Sequence, residues 1–508
     1  MILEYDNFKY SQILRRGTMF YKILRIVMIS FLFFLFLPPI IVDCQVLQAD
    51  KHPELTNKVD ELFKEWDTID SPGAAVGIFK DGKIAYARGY GLANLDHSIP
   101  ISPQTVFRVG SVSKQFTAMC IALLIEQGKI SLDYDMRKYL PEMHEFDPPV
   151  TIRQMIHHTS GIRDYLVLQG LAGRSDGYFY TSREVVDLIS RQKNLNFKPG
   201  SKYSYSNSGY FLLAEIVGRV SGMKTSDYAR KFIFEPLGMN HTHFHDNPKM
   251  VVKNRASGYM PLDGDGFKIH MTQLNMIGDG GIFTSVEDFF KWDQNFYANK
   301  LGQGTQDLIR MILTRGRLND GREMNYAFGL VISRYRGLRT VSHGGFFVGF
   351  KAHYLQFPDH RFSVVILSNL GSFNPGMIAQ SIADVYLAKS FTEPFVPQRE
   401  SPYQQEEPSP IHIPKEQLEK FVGEYYSNEL DAKAFLKTDL SNLVIKLGRY
   451  KGRLTPISSD TFIGTYLNDD AYDLENRKIE FIKDQEKRIT SFVMETEEIK
   501  NLKFIKIK

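Results

Sequence analysis

The sequence predicts an α/β fold of the α+β kind, an antiparallel sheet flanked by helices with a helical lobe beside it, followed by a small all-β domain. Three observations predict it. An amphipathic helix and a tight hairpin come early, helical patterns then dominate from Lys114 to about Gly238, and a Pro-rich stretch separates all of this from a tail of short alternating strands. At 508 residues the chain is too long for one compact core, so two folded domains are expected.

The N-terminus comes first. Arg15, Arg16, Lys22 and Arg25 precede an apolar run from Ile26 to Val42, and polar sequence begins at Asp43. A positive flank, an apolar centre and a polar exit predict a signal peptide over residues 1–44 and an exported protein, periplasmic or secreted. The run is short for a spanning helix and Pro38-Pro39 interrupts it, which leaves an uncleaved membrane anchor as the alternative. Asp43 before Cys44 is a poor small-residue site and argues against lipidation.

The main domain is assigned to residues 45–390. Leu55, Val59, Leu62, Phe63 and Trp66 share one helical face. Ala74–Phe79 and Ile84–Ala87 read as strands joined at Asp81-Gly82, a pair suited to a hairpin turn with positive φ. Thr105–Val109, Tyr326–Ser333 and Arg361–Ser368 are strand-like. Residues 391–414 carry six prolines among Glu, Gln and Ser (Pro394, Pro397, Pro402, Pro408, Pro410 and Pro414) and read as an extended linker. In residues 415–508, runs such as Leu443–Leu447 and Thr461–Gly464 alternate with turns at Ser458–Asp460 and Asn468–Asp470, which predicts a β barrel or sandwich.

Composition narrows the function classes. The 62 Lys and Arg nearly balance 58 Asp and Glu, and no long basic run points to nucleic acid. With two cysteines, one of them in the leader, there is no disulfide framework, and Cys120 reads as a small buried hydrophobe.

Three short motifs carry chemistry. Ser111-Val112-Ser113-Lys114 opens a helix, where positions three apart share a face, so Lys114 approaches Ser111. A serine hydroxyl needs a neighbouring base to become a nucleophile, and free N–H groups at a helix start favour developing negative charge. Tyr205-Ser206-Asn207 offers a second proton-handling group, whose phenol a nearby lysine would push down. Its amide both donates and accepts. His343-Gly344-Gly345 precedes Phe346. The glycines allow close backbone approach, and a following N–H can join that of Ser111 as an oxyanion hole.

In this order, S-x-x-K, Y-x-N and a basic residue with G-G, the motifs resemble those of class C β-lactamases, penicillin-binding proteins, D-aminopeptidases and related esterases. Phe107–Gly110, His158–Ile162, Glu235–Met239 and Gly280–Ser285 are similar to other landmarks of that family, which extends the resemblance from about Asp70 to Ala388. Phe421–Tyr426 resembles the start of a lipocalin-like appendage. The resemblance implies an acyl-enzyme on Ser111, with Lys114 and Tyr205 sharing the proton work and no settled choice of base between them. It further implies substrate binding by Asn207, His343, Gly344 and Gly345, an oxyanion hole from the N–H groups of Ser111 and Phe346, and neither cofactor nor metal. Class C β-lactamases carry Lys-Thr-Gly where this chain has His343-Gly344-Gly345. A partly charged histidine would bind a β-lactam carboxylate more weakly and in a pH-dependent way. The expected substrate is therefore a D-amino-acid peptide or small ester, with a cell-wall-derived peptide among the candidates. The alternatives are a true β-lactamase and a non-catalytic cell-wall peptide sensor.

Two readings compete and are set aside. His241-Thr242-His243-Phe244-His245-Asp246 has alternating imidazoles that a strand would align, but no downstream ligand pattern answers it, and it reads as a surface strand or loop. No G-x-S-x-G surrounds a candidate serine, which excludes the α/β-hydrolase elbow.

Overall fold

The hairpin seeds the main sheet. β1 (Ala74–Lys80) and β2 (Lys83–Tyr90) pair antiparallel around Asp81 and Gly82, whose φ angles of 50° and 78° are the left-handed pair that such a turn demands. Four later strands, β3 (Val331–Tyr335), β4 (Leu338–Phe347), β5 (Phe350–Phe357) and β6 (Phe362–Ser368), complete an antiparallel six-stranded sheet in the order β3-β4-β5-β6-β1-β2. Two strand starts lie later than predicted. Gly329, with φ 70°, turns the chain between Tyr326 and Val331, and Arg361, with φ 44°, holds a turn just before β6. This computed structural model describes residues 53–174, 180–396, 409–440, 442–448, 450–466, 477–496 and 498–508. The predicted leader, the middle of the predicted linker and the turn at Asn468–Asp470 lie outside the described residues.

The central strands are buried on both faces, and their alternation assigns residues to two cores. Ala74, Val76 and Ile78 of β1, with Val364 and Ile366 of β6, pack against α1 (Pro53–Phe63) and a helix near the end of the domain, Pro375–Tyr386. Ala75, Phe79, Val365 and Leu367 face the opposite way, into the larger core. That core contains α2 (Lys114–Glu126), whose residues from Lys114 to Leu124 are all buried. A helix apolar nearly all round belongs inside. Cys120 lies on it, fully enclosed, with its thiol pushed up by burial.

The lobe beside the sheet adds α3 (Tyr165–Leu171) and α4 (Asn207–Ser221), and α5 (Val286–Asn295) closes the sheet's inner face. Buried Asp293 pins α5 to the sheet by accepting hydrogen bonds from Tyr354 Oη at 2.7 Å and Ser363 Oγ at 2.5 Å.

Beyond the predicted linker, eight consecutive strands from Gly423 to Lys506 close into an antiparallel barrel. Its interior is filled by side chains, among them Tyr425, Phe462, Phe481, Phe492 and Phe504. Leu168 and Leu171 of α3 and Leu188 of the lobe belong to the same apolar cluster, so the barrel is packed onto the lobe.

Candidate active site

Ser111 stands in a single 3₁₀ turn, Gly110–Ser113, that runs directly into α2 at Lys114. The turn needs glycine at 110 for two reasons: φ is 51°, and a Cβ there would lie 2.7 Å from the Phe346 backbone nitrogen. One helical turn on from Ser111, the buried Lys114 ammonium uses all three donors. Nζ donates to Ser111 Oγ at 3.1 Å, Asn207 Oδ1 at 2.8 Å and the Asp279 carbonyl at 2.7 Å. Burial pushes this ammonium down to about 8, against the opposing charges of Asp279 and Asp164.

The second motif arrives from the start of α4. The Asn207 N–H donates to Asp164 Oδ2 at 2.6 Å, which fixes the amide facing Lys114. The Lys114 Nζ lies 4.7 Å from the centre of the Tyr205 ring, and the Tyr205 hydroxyl interacts with Ser111. The phenol is nevertheless pushed well up, because desolvation outweighs that hydrogen bond. The expectation that the nearby lysine would favour a phenolate is therefore corrected: loss of solvent decides. His158 supports this segment from behind, with Nδ1 accepting the Ser206 N–H at 3.1 Å and its ring 4.2 Å from that of Tyr205.

The third motif lies on β4, and its two glycines do different work. A Cβ at Gly345 would fall 2.0 Å from the Val109 carbonyl oxygen and 3.1 Å from the Ser111 nitrogen, so here the strand touches the serine turn itself. At Gly344 a Cβ would meet only His353 Nδ1, at 3.5 Å. The contact brings the Phe346 N–H beside the Gly110–Ser111 peptide.

His343 departs from expectation. It is buried, its Nδ1 lies 2.6 Å from the Gly344 carbonyl and its Nε2 lies 3.0 Å from Tyr326 Oη. A carbonyl only accepts, so Nδ1 carries the proton and Nε2 accepts from the tyrosine. Burial, reinforced by Lys114, pushes the imidazole down to about 3. The ring is neutral across the ordinary pH range, and the expected partial charge, with its pH-dependent grip on a carboxylate, is not found.

Ser111, Tyr205, Asn207 and Phe346 open onto a cleft of about 520 Å³. Its walls include Arg108, Leu166, Tyr203 and Phe347, and two barrel residues, Tyr450 and Glu498. His343, Gly344 and Gly345 are not among the residues lining it.

The histidine run forms no such centre. His243 and His245 bond to each other, Nε2 to Nδ1 at 3.1 Å, and pack on Phe283, while burial pushes His245 down to about 3. Burial of His245 corrects the expected surface strand. Among the described residues, no group of three or more His, Cys, Asp or Glu is placed to hold a metal ion.

Sequence reasoning missed Arg163, Asp164, Asp279, Tyr326 and Tyr450. Arg163 and Asp164 directly follow one noticed landmark, His158–Ile162, and Asp279 directly precedes another, Gly280–Ser285. Tyr326 and Tyr450 meet the site through contacts distant in sequence.

Comparison with known proteins follows the same lines. A sequence model described as Beta-lactamase matches residues 59–388. A D-aminopeptidase of Gluconobacter oxydans is 29% identical over 328 residues, covering 65% of this chain and 60% of that protein. One from Cereibacter sphaeroides is 30% identical over 322 residues, covering 62% of this chain and 61% of that protein. These matches thus span about three fifths of the curated relatives' length. Among solved structures, the octameric penicillin-binding protein homologue from Pyrococcus abyssi superposes with a TM-score of 0.58 at 26% identity, covering 90% of this chain and 100% of that one. The D-amino acid amidase from Ochrobactrum anthropi SV3, at 20% identity and a TM-score of 0.54, covers 65% of this chain and 96% of its own and shares the fold.

Proposed function

We propose, from the premise that this chain belongs to the β-lactamase family, that it is a serine hydrolase acting through an acyl-enzyme on amide or ester bonds of D-amino-acid derivatives. The observation that carries this reading is the Lys114 amine, held at once on Ser111 Oγ and Asn207 Oδ1 and pushed down to about 8. Such a group is partly neutral near pH 8 and then accepts a proton from the serine.

The steps follow from the positions. Neutral Lys114 takes the Ser111 proton as Oγ attacks the substrate carbonyl, and the oxyanion forms beside the N–H groups of Ser111 and Phe346. Tyr205, held as a phenol, donates its proton to the leaving nitrogen or oxygen and regains one from Lys114. A water then gives a proton to the same pair and attacks the acyl carbon; the acyl–Oγ bond breaks, the pair returns that proton to Ser111 Oγ, and the acid leaves. Asn207 orients both Lys114 and the incoming amide.

Substrate class follows from charge. With His343 neutral, the motif that would bind a β-lactam carboxylate supplies no cation. An amide or ester with no carboxylate beyond the scissile bond needs none. Similarity to the two D-aminopeptidases supports a D-amino-acid substrate, and a cell-wall-derived peptide fits the same chemistry when its carboxyl end is amidated. Export to the periplasm or medium belongs to this reading and is supported by the basic flank and apolar run of residues 15–42. An uncleaved anchor is its membrane-bound variant.

The test is turnover of D- and L-alaninamide and the matching aminoacyl p-nitroanilides by wild type and Ser111→Ala. The expected result is at least about tenfold preference for the D forms and loss of roughly a thousandfold or more in the variant. Unchanged hydrolysis by Ser111→Ala would overturn the assignment.

A further inference from the structure

The barrel is joined to the lobe by more than apolar packing. Arg163, on the lobe, is 0% exposed at its side chain, and its guanidinium is spent largely on the barrel. Nη1 donates to Glu429 Oε2 at 2.6 Å, and Nη2 donates to the carbonyls of Lys500 at 2.7 Å and Asn501 at 3.0 Å. Glu429 is itself only 9% exposed, and the same Oε2 accepts the Lys193 N–H at 3.0 Å. The Gln192 amide bridges the two groups, accepting from Arg163 at 2.7 Å and donating to the Glu429 carbonyl at 2.9 Å. Removing either partner of a charge pair this deep is destabilising, because the survivor stays buried without its counter-ion.

Arg163 also opens the segment that holds the second motif. Its carbonyl accepts from Ser208 Oγ at 2.7 Å, and the next residue, Asp164, accepts the Asn207 N–H at 2.6 Å. Tyr165 N–H donates to Ser208 Oγ at 2.8 Å. Three hydrogen bonds therefore zip residues 163–165 to residues 207–208. From Asn207 the next link is Lys114 Nζ, and from there Ser111 Oγ.

The geometry points to the barrel as a working part of the active site, with Glu429 as a positioning residue that acts through Arg163 and Asp164 to hold Asn207 against Lys114. The inference rests on the catalytic roles proposed for Lys114 and Asn207. It assigns the barrel more than a tether: the domain supplies Tyr450 and Glu498 to the cleft wall and clamps the lobe segment that aligns the lysine. The close seat of the two units is visible at Gly448, with φ 58°, where a Cβ would lie 2.2 Å from Gly173 Cα.

The test uses the full-length protein and a double-mutant cycle read by kcat/KM on one small ester, with Ser111→Ala run alongside. Glu429→Ala is expected to lower kcat/KM by about tenfold, mainly through kcat. In an Asn207→Ala background the same change is expected to cost almost nothing further, because the relay already ends at a missing amide. The pH at which kcat/KM is half-maximal is expected to move in Glu429→Ala and stay put in Glu429→Gln, which keeps an oxygen acceptor for Arg163. A merely structural contact would lower the thermal midpoint and the amount of active protein but leave the pH profile alone. Equal losses from Glu429→Ala in both backgrounds would overturn the relay while leaving the hydrolase reading intact. Turnover that survives Ser111→Ala would overturn that reading instead. Should Glu429→Ala not fold, Glu429→Gln in both backgrounds decides the question by the same additivity, a smaller loss that vanishes beside Asn207→Ala supporting the relay and an equal loss in both sinking it.

Discussion

Adding one methyl group to each of two adjacent glycines separates the account from a looser one in which the pair merely keeps β4 flexible. At Gly345 the new Cβ would sit 2.0 Å from the Val109 carbonyl oxygen. An ordinary carbon–oxygen contact is about 3.2 Å, so strand and serine turn must part by about 1 Å. Both facing groups are backbone, and no side chain can swing aside to absorb the shift. The parting moves the Phe346 N–H away from the Ser111 N–H, and loss of one oxyanion donor costs on the order of a hundredfold or more. Gly345→Ala is therefore expected to lose about a hundredfold in kcat with little change in KM. At Gly344 the same methyl meets only a histidine nitrogen at 3.5 Å, an ordinary contact, and Gly344→Ala is expected to keep most of its activity. Steady-state kinetics on a small ester, with thermal midpoints to exclude unfolding, make the comparison. A Gly345→Ala enzyme with more than a third of wild-type kcat, or a Gly344→Ala enzyme equally impaired, would refute the reasoning.

Other consequences follow from charge. Because Lys114 acts as its neutral amine and is pushed down to about 8, kcat/KM should rise with pH and level off above about 8. A profile already flat from pH 6 would show that another group is the base. His343→Lys is expected to destabilise the protein without conferring β-lactam hydrolysis. It replaces a neutral ring bonded to Tyr326 and Gly344 with a cation in a buried site close to Lys114. A thermal midpoint unchanged, or penicillin turnover gained, would contradict the assigned tautomer and burial.

What the sequence made legible was local. Asp81-Gly82 announced its hairpin because two left-handed residues in a row are a backbone requirement written in two letters. Ser111 and Lys114 are one helical turn apart, so their meeting needed only helix geometry. The alternating runs after the linker mapped onto barrel strands because inward and outward positions differ in polarity. What stayed hidden depended on distance and solvent. Arg163 and Glu429 are 266 residues apart and carry no pattern that pairs them. The protonation of Tyr205 and His343 misled the sequence reading for one shared reason. Neighbouring charge can be guessed from motifs, whereas desolvation depends on everything packed around the group, and here it prevailed. Gly344 and Gly345 looked equivalent until the serine turn was seen to lie against only one of them.

The central claim is that Ser111 carries the acyl group. Intact-mass spectrometry of the protein incubated with a slowly hydrolysed D-aminoacyl ester, beside Ser111→Ala, tests it most directly. The account predicts an adduct with the mass of the acyl group on wild type alone, mapped by peptide analysis to the Gly110–Lys114 segment. An adduct of equal yield on Ser111→Ala, or one mapped elsewhere in the chain, would contradict it.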